Sequence, residues 1–186
     1  MPTPAAFSAD DIVLRPATAA DALCLGVLST QVFLDTYAPA GIRPAVAREA
    51  LSAHGVDAYA ARLADPGVRI EVAERDGHLA GFAFVLLDTP VDALPGTAAA
   101  KLERLYVQEP FTGCGLGRRL LRAAERLAAA AGARALWLTA YVGNPRALAF
   151  YPRQGYADLG ATVFEFEGES HENRLFARTL PPEDRP

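Results

Sequence analysis

At 186 residues with a formal net charge of −4 and an isoelectric point of about 5.4, the chain has the size of one domain and lacks the net basic surface that broad nucleic-acid or anionic-membrane binding requires. Hydrophobic residues make up 51%, although 38 of them are Ala, and charged residues make up 22%. That composition belongs to a folded globular chain rather than a disordered one.

The first segment, Met1 to Asp11, has neither a basic n-region nor an apolar h-region, so no secretory signal is expected. The longest charge-free stretch, Ala22 to Leu34, is 13 residues and contains Ser29, Thr30 and Gln31, short of the roughly 20 apolar residues of a membrane span. Two cysteines, Cys24 and Cys114, make neither a disulfide framework nor a metal cluster. These features predict a cytoplasmic protein with reduced thiols and no membrane association, a single domain over residues 11–180, and flexible ends at 1–10 and 181–186.

Ile12 to Arg15 reads as a short edge strand stopped by Pro16, and Thr18 with Asp21 three residues on marks a helix start. The helix that follows carries Leu23, Val27, Leu34 and Tyr37 near helical spacing and ends at Pro39 and Gly41. Pro44 to His54 and Asp57 to Leu63 read as two more helices, closed by Asp65-Pro66-Gly67. Val68 to Ala73 and His78 to Leu87 are strands around Asp76-Gly77, a strong two-residue hairpin signal. Asp88 to Thr97, with two prolines and a glycine, reads as a loop.

Ala99 to Gln108 is the next strand, followed by Thr112-Gly113-Cys114-Gly115-Leu116-Gly117 and then a long helix. Leu116, Leu120, Leu121, Ala124, Leu127, Ala128 and Ala131 keep one face of that helix apolar, and Gly132 ends it. Ala135 to Tyr141 reads as a buried strand, Asn144 to Gln154 as a short helix, and Tyr156 to Phe166 and Arg174 to Leu180 as the last strands. Strand, glycine loop, helix and strand over 99–141 form a βαβ unit, so its two strands are expected to be parallel neighbours.

The glycine loop suits an anion, because backbone N–H groups without side chains in the way converge at a helix N-terminus whose dipole favours negative charge. Gly117 is followed by Arg118-Arg119 rather than Lys-Ser/Thr, which speaks against a nucleotide-hydrolysing P-loop, and the positions where a dinucleotide fingerprint needs its last Gly hold Arg118 or Leu120. A plain glycine-rich turn is the alternative.

Leu105-Tyr106-Val107, the loop Thr112 to Gly117, Leu120-Leu121, and downstream Asn144-Pro145-Arg146-Ala147-Leu148-Ala149-Phe150-Tyr151 with Gly155-Tyr156 resemble the two signature blocks of the GNAT acetyltransferase superfamily. Phe33 to Ala38, Leu102 to Val107 and the ending Phe166 to Leu180 are similar to bacterial polyamine acetyltransferases and their relatives. The resemblance implies an α/β (α+β) fold: a mixed, mostly antiparallel twisted sheet of six to seven strands with a central splayed parallel pair, flanked by about four helices. It further implies acetyl-CoA as co-substrate, no metal, and direct acetyl transfer to a primary amine of a small molecule. The implied coenzyme contacts are Leu105, Tyr106, Val107, Thr112, Gly113, Cys114, Gly115, Leu116, Gly117, Arg118, Asn144, Ala147 and Tyr151. Thr112 and Cys114 depart from the family's loop pattern, which has Gln or Arg first and often a basic residue at the third position.

Acetyl transfer to an amine needs a neutral amine, stabilised charge on the carbonyl oxygen and a proton for the departing thiolate. Tyr151 matches the family's general acid; packing on the sheet is its other reading. Glu103 can take the amine proton, directly or through water, or can simply pair with Lys101 or Arg104. Strict alternation puts Glu103, Leu105 and Val107 on one face of their strand and Leu102, Arg104 and Tyr106 on the other unless a bulge intervenes. Asn144 precedes Pro145 and is also a plain helix cap. Cys114 lies near a helix N-terminus and arginines, yet no His or acid is placed to form a dyad with it, which favours an unreactive thiol. His54, His78 and His171 have no ligand spacing.

Residues 101–134 hold seven basic and three acidic residues, a local +4, leaving −8 for the remainder. A basic segment at the expected coenzyme site within an acidic remainder favours a polyamine-like acceptor slightly. Acetylation of a protein N-terminus or lysine, and a non-catalytic acyl-CoA sensor, are the alternatives. A homodimer is compatible with the edge strands, which need cover.

Overall fold

The computed structural model describes residues 11–166 and 168–181; of the ends expected to be flexible, 1–10 and 181–186, all but Pro181 lie outside the described residues. In chain order the elements are β1 (Val13–Pro16), a 3-10 turn (Ala19–Asp21), α1 (Ala22–Tyr37), α2 (Pro44–Ala53), α3 (Val56–Ala64), β2 (Val68–Arg75), β3 (His78–Leu86), β4 (Ala99–Val107), a second 3-10 turn (Glu109–Phe111), α4 (Leu116–Ala130), β5 (Ala135–Tyr141), α5 (Pro145–Arg153), β6 (Ala157–Phe166) and β7 (Glu169–Thr179). The strands form one sheet in the order β1-β2-β3-β4-β5-β7-β6, antiparallel at every step except β4 beside β5.

The local signals account for most of this. Asp76 and Gly77 both take positive φ, 51° and 79°, as a tight hairpin between right-twisted strands requires. At the first helix start, Thr18 N–H donates to the Asp21 carboxylate at 2.7 Å, and the Arg15 guanidinium clasps both oxygens of that carboxylate at 2.8 Å. That pair ties β1 to the entry of α1 and holds the Asp21 carboxyl down at about 2.

The sheet divides two apolar layers. On one face Ala83, Val85, Ala100, Leu102, Leu136 and Leu138 pack under α4, through Leu116, Leu120, Leu121 and Ala124. On the other, Ile70, Val72, Phe82 and Phe84 pack under α1 and α3, through Leu25, Leu28 and Tyr59. Buried Glu125 on α4 accepts from Tyr156 (3.2 Å) and Arg178 (3.1 Å) and pairs with Arg122 (2.7 Å), so one carboxylate fastens the long helix to the far strands.

Three sequence expectations change. The buried face of α1 is Leu25, Leu28, Ser29 and Phe33, while Leu23 and Val27 are 62% and 64% exposed. This helix is apolar almost all round, so spacing alone did not choose its face; close approach to α3 does. A β-carbon at Gly26 would sit 3.0 Å from Val56 N. β7 begins at Glu169 rather than Arg174, because pairing with β6 carries the polar run Ser170 to Asn173 into the sheet. In β4 the register with β3 jumps from Arg104 to Leu102, so Glu103 is a bulge, and Leu102 stands on the same face as Leu105 and Val107, contrary to strict alternation.

Candidate active site

The bulge lies where the sheet opens. β4 and β5 pair over three positions only, Ala99 with Ala135 to Lys101 with Trp137, and beyond them no pairing joins the two strands. Parallel strands that part leave their facing polar groups free for a ligand. The gap is floored by β4 and walled by α5, and two spaces meet in it.

The larger space is a cleft of about 1080 Å³ running from the glycine loop past Leu105 and Val107 to Asn144, Ala147 and Tyr151. Its outer end is a backbone cradle. Gly113 and Gly115 hold φ of +78° and +88°, a conformation that side chains resist, and Gly115 is the N-cap of α4. The unpaired amides of the first turn therefore face the cleft, with Thr112, Gly113, Gly115, Gly117 and Arg118 lining it. Arg146 also lines it and grips Glu109 at 2.7 and 3.0 Å. Asn144 Oδ1 accepts from Ala147 N–H at 3.0 Å, so it caps α5 and leaves its NH₂ as a donor.

The smaller space is an inner chamber of about 170 Å³, lined by groups that include Tyr37, His54, Lys101, Glu103, Arg104, Tyr106, Tyr141, Tyr151 and Asn173. Thr36, Leu105, Asn144, Ala147 and Tyr151 line both spaces. Tyr151 thus stands at the junction, 8% exposed, against Phe150, Tyr156 and Phe176. Burial pushes its phenol well above the ordinary value, so it is protonated at neutral pH.

Glu103 stands on the chamber side, its Oε2 2.7 Å from Lys101 Nζ. Burial pushes its carboxyl up, but Lys101, then Arg104 and Arg62, outweigh that and hold it below the usual value. His54 is enclosed: its Nδ1 meets Ser29 Oγ at 2.7 Å, and Ser29 Oγ accepts from Tyr59 at 2.8 Å. Burial, with Arg104 and Arg62, drives the imidazole down to about 3, and it is neutral. Burial and neighbouring Tyr141 push the Tyr37 phenol up to about 12.

Of the residues expected at the site, Leu105, Val107, Thr112, Gly113, Gly115, Gly117, Arg118, Asn144, Ala147 and Tyr151 share the cleft, and Glu103 reaches the chamber. Three stand elsewhere. Tyr106 lines the chamber rather than the cleft, since the pleat sends it opposite to Leu105. Leu116, the first residue of α4, is fully buried, so only its amide can face a ligand. Cys114 turns back on the loop, Sγ to Phe111 O at 3.0 Å. The basic segment is also less concentrated than its count implies, because Arg119 donates to Ile12 O and Arg122 to Glu125. Arg146, His54, Tyr141 and Asn173 were not foreseen; only Arg146, inside the second signature block, carried a signal. Among the described residues no group of three or more His, Cys, Asp or Glu is placed to hold a metal ion, and no helix is long and apolar enough to cross a membrane.

Against known proteins, residues 38–156 match the Acetyltransferase (GNAT) family. The chain is 31% identical to an uncharacterized N-acetyltransferase of Mycobacterium tuberculosis over 73% of its own length and 85% of that protein. It is 37% identical to the IAA acetyltransferase of Azospirillum brasilense over 53% of its length, spanning 60% of that relative. Among solved structures, the PaiA N-acetyltransferase from Thermoplasma acidophilum in complex with coenzyme A superposes with a TM-score of 0.69 at 18% identity, covering 91% of this chain and 99% of that one.

Proposed function

The chain belongs to the GNAT acetyltransferase family, and from that premise we propose that it moves the acetyl group of acetyl-CoA directly to a primary amine of a small molecule while both are bound. The observation that carries this is the continuity of the two spaces: an anion cradle at one end, a smaller chamber with ionisable groups at the other, and Tyr151 where they meet.

The cleft fits the co-substrate by its own chemistry. The amides of Gly113, Gly115 and the first turn of α4, with Arg118, would take the pyrophosphate. The free edge of β4 past Lys101 would pair with the amide-bearing arm, and the NH₂ of Asn144 would reach the same arm. Bound acetyl-CoA supplies an activated thioester carbonyl. A backbone N–H near Tyr106 or Val107 would polarise that carbonyl's oxygen.

Glu103, ionised at neutral pH, receives the amine proton through water. Its depressed carboxyl makes it a weak base, suited to relaying a proton rather than holding one. Tyr151, kept protonated by burial, gives its proton to the departing sulfur and regains one from solvent. Cys114, engaged with a carbonyl and lacking a partnering His, forms no acyl intermediate. The acidic remainder of the chain favours a cationic acceptor of polyamine type; the groups lining the chamber favour a different amine, argued below.

Titration of the protein with acetyl-CoA, followed by thiol release on adding a panel of small amines, tests the reading. Saturable binding and amine-dependent release are expected. Binding without release on any amine would instead favour an acyl-CoA sensor.

A further inference from the structure

The chamber contains a buried cation with an unsatisfied donor. Arg104 lies next to the bulge, its guanidinium 5.7 Å from the ring centre of Phe84, and its enclosed Nη1 has no hydrogen-bond partner. Glu103, the acid beside it on the strand, pairs with Lys101 at 2.7 Å, and Glu49 also lines the chamber. Leaving a desolvated guanidinium donor unpaired is costly, and such a group in a folded protein calls for an explanation. Beside it His54 is neutral with Nδ1 engaged by Ser29, whose hydroxyl accepts from Tyr59. With the Ser29 hydroxyl assigned as the donor to Nδ1, the imidazole's proton sits on Nε2 as a donor. A buried guanidinium, an imidazole N–H and the chamber-lining hydroxyls of Tyr37, Tyr106 and Tyr141 make a donor-rich pocket.

We propose that this chamber is an anion receptor, and that the acceptor is a small primary amine carrying its own carboxylate or phosphonate, the anion held by Arg104 and the amine directed to Tyr151. This rests on the acetyl-transfer reading above and gives that same site its substrate class. The planar guanidinium fork matches both anions. The chamber's volume of about 170 Å³ equals that of about five or six waters, which suits an amino acid as small as alanine. A polyamine would bring its second ammonium towards Arg104 and meet its repulsion. Glu103, its charge compensated by Lys101, lies near enough to serve the amine without competing for the anion's place.

The test compares matched acceptors on the full chain: alanine against ethylamine, 2-aminoethylphosphonate against ethanolamine, and putrescine. Thiol release gives kcat and KM; titration of the same compounds into coenzyme-loaded protein gives binding independently of turnover. The acids are expected to exceed their anion-free counterparts by about 100-fold in kcat/KM, and Arg104→Gln is expected to remove most of that preference through KM. Affinity for coenzyme A should stay within about twofold in that variant, and Arg104→Lys should restore part of the preference. Equal use of ethylamine or putrescine, or an Arg104→Gln effect equal for both members of a pair, would overturn the anion assignment. Should Arg104→Gln fail to fold, the wild-type preference and Arg104→Lys decide the matter. Arg104-dependent binding of the acids without any turnover would overturn acetyl transfer alone; turnover without selective binding of the acids would overturn the receptor alone.

Discussion

Burial favours the neutral form of an ionisable group, and in this site it acts on a phenol and an imidazole in opposite directions of pH. Tyr151 is held protonated, so Tyr151→Phe should lower kcat by about 100-fold while acetyl-CoA affinity changes little. Full kcat in that variant would remove the proton-donor role. His54, brought down to about 3 from its ordinary 6.5, stays neutral in the fold while the unfolded chain takes up a proton. Its contribution to stability is complete above pH 6.5 and is lost progressively as pH falls towards 3. The urea midpoint should therefore drop between pH 7 and pH 4, and His54→Gln should flatten that slope even if it lowers the midpoint at pH 7. Asp21, depressed to about 2, adds a loss of the same sign below pH 4, which that variant retains. At this scale Tyr151 and Asn144 were readable because they lie in one contiguous block with a helix cap. The exposure of Arg104 and His54 to one chamber was not, since they come from strands and helices about 50 residues apart that only tertiary packing joins.

Two elements carry the site, the glycine loop with α4 and the bulged strand β4. Gly115 at φ +88° has open space where a β-carbon would go, so Gly115→Ala should cost only the left-handed backbone penalty of about 1–2 kcal/mol. Its larger effect should be weaker acetyl-CoA binding, measured by titration, because the added methyl stands at the amide cradle. Glu125 is different: Glu125→Ala strips Tyr156 and Arg178 of a buried acceptor, and thermal unfolding should show a loss of about 2–3 kcal/mol. Coenzyme affinity of the protein that remains folded should be unchanged. The loop and helix were legible from glycine spacing and a clear apolar stripe. The bulge at Glu103 was not, because an extra residue in a strand leaves no mark in composition; it follows from pairing with β3. The face of α1 was misread for a related reason: a helix apolar on all sides is oriented by what packs on it, and Gly26 against Val56 settles that.

At the scale of the molecule, the opening between β4 and β5 makes one site from two spaces. The βαβ pattern over 99–141 gave the parallel pair in advance, while the extent of the splay depends on only three paired positions. Net charge says less about ligands than placement does: of the seven basic residues in 101–134, Arg118 reaches the cleft and Lys101 and Arg104 the chamber. The central claim is that acetyl passes directly between two ligands held at once on either side of Tyr151. Initial rates of thiol release, measured over a grid of acetyl-CoA and acceptor concentrations, test it most directly. Direct transfer predicts reciprocal plots that intersect; parallel plots, with acetyl recovered on the protein in the absence of amine, would contradict it.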